Sequence, residues 1–231
     1  MEAWRVEAEN LLRLIAPRDF DGAPIYICIR SEVTEDFDGL PGCHAYTAVA
    51  LDKVLQPILE SQGRWRGRGF TTVVHEGRFR ASHRHLAPWE LEEVFMKWVL
   101  HEVSHYFDIG RAMSFHEWGG PMLKAVASAL RDPPPKKNPW SGHESSFIRA
   151  ALHIHHRANA VGFTIRSADM SAAGEQYGLA PIEQYAEVLG DEPSRRIEES
   201  LFDIIDSKPP TEFEEFAARD FENAKVQHAK N

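Results

Sequence analysis

The stretch from Pro88 to Gly110 constrains the fold of this chain more than any other. Apolar Leu91, Val94, Phe95, Trp98 and Val99 recur there at helical spacing. Pro88 suits a first helical turn, and Glu90, Glu92 and Glu93 lie where the positive end of the helix dipole falls. Gly110 is the expected C-cap. Strand signals precede this helix. Pro24 to Arg30 holds the apolar run Ile25-Tyr26-Ile27-Cys28-Ile29, bounded by Gly22 and later polar residues, which predicts a buried strand. Ala45 to Ala50 and the β-branched, aromatic Phe70 to His75 predict two more strands. Between them Leu51 to Gln62 reads as a helix stopped by Gly63.

Helical pieces fill the rest. Residues 2 to 16 carry Trp4, Ala8, Leu11, Leu12 and Ile15 at helical spacing, and Pro17 stops them. Gly119-Gly120-Pro121 opens a short helix to Leu130, while the prolines between Asp132 and Pro139 exclude helix and inner strand there. Further helices are expected over Ser141 to Asn159, ended by Gly162, over Pro181 to Leu189, closed by Gly190, and over Ser194 to Asp206. A last one runs from Thr211 to Val226, with Thr211 and Glu214 as a capping box. The expected class is α+β: a small twisted mixed sheet, the helix from Pro88, and a helical C-terminal half.

Composition narrows the functional classes. With 231 residues, 43% of them hydrophobic, six Trp and thirteen Phe, the chain can bury a core and is not disordered. Two cysteines make no disulfide framework. No run reaches the length of a membrane span, and Met1 to Asn10 lacks the order of a signal peptide, so a cytoplasmic protein without membrane contact is expected. The net charge of -9 argues against general adhesion to nucleic acid. Locally the balance reverses: Arg64, Arg66, Arg68, Arg78, Arg80 and Arg84 face the single acid Glu76, and Gly63-Arg64-Trp65-Arg66-Gly67-Arg68-Gly69 interleaves arginine with an aromatic. This Arg64–Arg84 segment is a candidate nucleic-acid contact, with a solvated loop as the plainer alternative. From Glu183 to Glu222 acids dominate, as on a solvated helix face.

Chemistry concentrates in His101-Glu102-Val103-Ser104-His105, on the helix from Pro88. Two histidines at i and i+4 project from one helix face, so both imidazoles can reach one zinc ion. Glu102, beside the first, is placed to take a proton from water activated by the metal.

This pentad resembles the signature of the zincin metallopeptidases. The resemblance implies a central helix beneath a small twisted sheet whose edge strand binds peptide, with His101 and His105 as zinc ligands and Glu102 as general base. Asp108 and Arg111 stand where a metzincin continuation has Gly and His, which excludes that branch. Gly142-His143-Glu144-Ser145-Ser146-Phe147 resembles the Gly-His-x-x-x-Phe element by which SprT-like and WSS-type proteases supply a third histidine, which implies His143 as third ligand. A helix N-terminus also favours the neutral, metal-binding imidazole.

The gap from His105 to His143 is longer than in SprT-like proteins, and no four-cysteine zinc ribbon is present. A gluzincin-like site would instead draw its third ligand from Glu183 or Glu187, whose spacing in Glu183-Gln184-Tyr185-Ala186-Glu187 and Glu187-Val188-Leu189-Gly190-Asp191 fits. His116 follows the pentad without a supporting pattern. Asp108 is spaced to hold the other N–H of His105. His153, His155 and His156 are read as core or surface histidines, and Tyr106, Tyr177 and Tyr185 are candidates to stabilise an oxyanion.

The expected organisation is a zincin-like catalytic domain over 1–165, with a helical extension over 166–231 packed on it. The expected function is zinc-dependent hydrolysis of a peptide bond in a protein or peptide substrate. The alternative is a non-catalytic zinc-containing module that binds protein or nucleic acid.

Overall fold

A computed structural model describes residues 1–29, 45–47, 51–112, 143–167 and 178–228. The expected helix over 119–130, the proline stretch 132–139, His116 and Tyr177 lie outside the described residues. The class is α+β, and helix predominates. Helix α1 (Glu2–Ile15) ends just before Ala16 and Pro17, and Pro17 opens the single turn α2 (Pro17–Phe20). Strands β1 (Ile25–Ile29), β2 (Ala45–Thr47) and β3 (Phe70–Val74) form a three-stranded sheet in the order β1-β3-β2, parallel between β1 and β3 and antiparallel between β2 and β3.

Both faces of the sheet are covered, which is why β1 is apolar throughout rather than alternating. Tyr26, Cys28 and Val73 pack on Leu51, Leu55 and Leu59 of α3 (Leu51–Ser61). Ile25, Ile27, Ile29, Phe70 and Val74 join the main core on the other side. Gly69 lets the strands approach: a Cβ there would stand 1.9 Å from the Pro24 carbonyl oxygen.

The main core is built round α5 (Pro88–Ala112). Ala87 caps this helix, its N–H donating to Glu90 Oε2 at 2.6 Å, so Glu90 closes the first turn as well as meeting the dipole. The helix runs two residues past the expected cap Gly110, because Arg111 and Ala112 are good helix formers. Phe95, Met96, Val99, Leu100, Val103 and Phe107 of α5 are buried. Helix α4 (Glu76–Ser82) was not expected: only Phe79 of its residues is large and apolar, so it offers one point of a period.

Helix α5 packs most extensively on α6 (Ser145–Ala160). Four further helices follow: α7 (Ile182–Leu189), α8 (Glu192–Arg195), α9 (Leu201–Asp206) and α10 (Thr211–His228). Gly190, at φ 62°, ends α7 as expected. Thr211 is the first helical residue of α10 rather than its cap, since the Pro210 carbonyl already accepts from the Glu214 N–H. One core cluster runs from Ala8 to Ala217, so the C-terminal helices share it with the sheet.

The helix expected over Ser194 to Asp206 is broken into α8 and α9, for a tertiary reason. The buried Arg157 guanidinium donates to the carbonyls of Arg196 and Glu199, at 2.9 and 2.8 Å, and to that of Ile15 at 3.0 Å. Asp19 then takes the Leu201 N–H at 2.9 Å and the Ser200 hydroxyl. Carbonyls and N–H groups spent on these partners leave no ladder for a continuous helix. Among the described residues no helix is long and apolar enough to cross a membrane.

Candidate metal centre

Helix α5 presents His101 and His105 one turn apart, and the start of α6 brings in His143. Glu144 is the N-cap of α6, so His143 stands one residue before it, at the mouth of a helix of 16 residues. His101 Nε2 lies 3.2 Å from His105 Nε2 and 3.3 Å from His143 Nε2. One ring nitrogen from each of the three histidines falls within 4.8 Å of the others. Ligand atoms about 2.0–2.1 Å from a tetrahedral ion are about 3.3–3.4 Å apart, so the donor set fits zinc in type and spacing. All three histidines are half-buried.

Phe147 explains part of the arrangement. Its ring, fully buried in the first turn of α6, lies with its centroid 5.0 Å from that of His101, 4.4 Å from His105 and 4.7 Å from His143. The four-residue spacing of His143 and Phe147 places both at the same end of α6. Phe147 thus backs all three imidazoles, a role that sequence alone did not assign. The signal was present in its i+4 relation to His143.

Glu102 is buried, 7% exposed, between the two α5 histidines in sequence. Asp108 is half-buried one turn beyond His105. Glu183 and Glu187 are exposed on α7 and do not belong to the group, so among the described residues the side chains that could hold a metal ion together are His101, His105 and His143.

The other candidates lie elsewhere. Tyr106 packs among Phe20, Phe70, Phe107 and Phe202. The Tyr185 hydroxyl donates to Asp220 Oδ2 at 2.6 Å, and burial followed by that bond pushes its ionisation far up. His155 Nε2 lies 2.6 Å from the Ile165 carbonyl oxygen and organises the turn after α6.

His153 is in the core, as expected of it, beside a buried ionic group. Glu192 accepts from Arg149, which also donates to the Ser207 carbonyl at 2.8 Å, and Arg196 Nη1 reaches Glu192 at 3.2 Å. His153 Nε2 stands 3.7 Å from Glu192, beyond hydrogen-bond reach, and burial holds its pKa below the ordinary value. Burial alone would raise Glu192; the nearby His153 imidazole and the hydrogen bonds and charge of Arg149 overcome it and bring the carboxyl down to about 2.

The Arg64–Arg84 segment is interrupted in sequence by a buried strand: β3 separates Arg64, Arg66 and Arg68 from Arg78, Arg80 and Arg84. Trp65 stacks on Tyr26, centroids 5.5 Å apart and rings 9° from parallel. The Tyr26 hydroxyl donates to the Gly67 carbonyl and accepts from the Arg66 N–H, which fixes this turn.

No family model, curated protein or solved structure matches this chain. The functional reading therefore rests on the site itself.

Proposed function

We propose that this chain is a zinc-dependent peptidase with a zincin-like fold. The observation that carries the reading is the convergence of three imidazole donors, two from α5 and one from just before α6, with a buried glutamate next to the first in sequence. Three histidines are the donor set of an open zinc site, whereas closed structural sites use four protein ligands. When bound, zinc would supply Lewis acidity toward water and the scissile carbonyl. Glu102 takes the proton of the attacking water and passes it to the leaving amine. His101, His105 and His143 would hold the metal, and Phe147 beside them keeps their rings in place. The edge strand β2 packs against α5, which suits the peptide-binding strand of a zincin.

The test combines metal content and turnover. Purified protein should carry about one zinc per chain, and a chelator should abolish hydrolysis of a denatured protein substrate. Glu102→Gln should keep zinc and fold while losing on the order of 10²- to 10⁴-fold in rate. Undiminished hydrolysis in that variant removes Glu102 from its role. Zinc held without any hydrolysis favours the non-catalytic module.

A further inference from the structure

A groove of about 390 Å³ lies away from the histidines, between α1, the first turns of α5 and the segment after α6. Met96, Phe163 and Ile165 supply its apolar surface, and Trp89 stands over it. Trp89 is 68% exposed, the most exposed large hydrophobic side chain among the described residues. An indole left in water beside an apolar groove is characteristic of a contact surface rather than of a core.

The polar lining has one sign. Glu7, Glu92 and Glu93 line the groove. Glu93 is paired with Lys97 at 2.9 Å. The neighbouring Glu7 carboxyl, then burial, raises the pKa of Glu92 against smaller opposing effects of the Trp4 side chain and the Met1 amino group. Carboxylates that share one groove repel when ionised, and a cation between them removes the repulsion. Trp89 lines the same groove and supplies an aromatic ring that can attract a cation further.

We propose that this groove docks a segment of a partner protein in which a lysine or arginine stands next to aliphatic residues. The cation seats at Glu7 and Glu92 against Trp89, and the aliphatic neighbours lie on Met96, Phe163 and Ile165. Charge complementarity chooses this occupant: an acidic or purely apolar segment would leave the carboxylates desolvated without a partner.

Calorimetric titration of the full chain with an acetylated, amidated Leu-Arg-Leu-Lys-Leu peptide tests this, with Leu-Glu-Leu-Glu-Leu as the control. Binding of the basic peptide alone is expected. It should weaken roughly ten-fold in Glu7→Gln/Glu92→Gln and about three- to ten-fold in Trp89→Ala. It should fade as salt approaches about 1 M, where the Debye length is near 3 Å. All three positions are solvent-accessible, and an unchanged circular-dichroism melt will show that the variants fold. Equal binding of both peptides, or basic-peptide binding untouched by the substitutions, overturns the proposal. Butylammonium binding as tightly as the peptide overturns it too, because the groove would then be a small-cation site. The titration needs neither metal nor turnover, so its outcome is independent of the proposed hydrolysis.

Discussion

His143 Nε2 lies 3.3 Å from His101 Nε2, although 42 positions separate the two residues in the chain. The packing of α6 on α5 closes that distance, and the i, i+4 relation of His101 and His105 supplies the third corner. Three ring nitrogens brought this close could hold one metal ion.

His143→Ala should therefore lower zinc affinity by orders of magnitude, since two protein donors remain. Loss of a merely supporting hydrogen bond costs roughly 10- to 100-fold, so the two cases are separable. Glu183→Ala and Glu187→Ala should retain the metal. Competition with a chelating dye measures all three, and full zinc occupancy in His143→Ala would overturn the assignment.

Phe147 offers a second test, because its ring touches each imidazole. Phe147→Ala opens a cavity and should cost on the order of 3–5 kcal/mol of stability. Phe147→Leu should restore most of that packing. If the flat ring orients the ligands, zinc affinity stays reduced in the leucine variant after denaturant melts show its stability recovered. Wild-type affinity in Phe147→Leu would make Phe147 a packing residue only.

How much was legible follows from where each cause lies. His101, Glu102 and His105 are readable because their geometry is set within one helical turn. His143 was reachable through its Gly-His-x-x-x-Phe context, and physical spacing alone could not have paired it with α5. Glu183 and Glu187 have suitable spacing too, but spacing along a helix says what shares a face, not what that face meets. The break between α8 and α9 was hidden because its causes, Arg157 and Asp19, lie far away in sequence. Helix α4 was hidden for want of apolar residues. The packing of Trp65 is not legible in its Arg/Gly-rich surroundings because its partner Tyr26 is 39 positions earlier, in β1.

The buried ionic group should be costly to break on one side only. Glu192→Ala leaves Arg149 without its carboxylate in the core, and a stability loss on the order of 3–5 kcal/mol is expected. Glu192→Gln, which keeps an acceptor oxygen but not the charge, should lose less. Urea midpoints of the two variants measure the difference, and equal, small losses would show that Arg149 is satisfied by Ser207 alone.

Acid should unfold the metal-free protein in two separable stages. His153 is buried and its pKa lies below its ordinary 6.5. As pH falls through about 6.5, the unfolded chain takes up this proton and the folded chain does not, so stability falls there. Glu192 behaves similarly further down. Its carboxyl titrates near 2 in the fold against an ordinary 4.5, so its contribution is intact above about 4.5 and is lost between there and about 2. The comparison is with His153→Leu in the same chelated state. The variant should show a shallower loss of urea stability between about pH 6.5 and 5 than the parent, with the Glu192-dependent loss still present lower down. Parallel slopes in the two proteins would mean that His153 gains its proton as readily in the fold as in the unfolded chain, and that its surroundings, Glu192 above all, offset its burial.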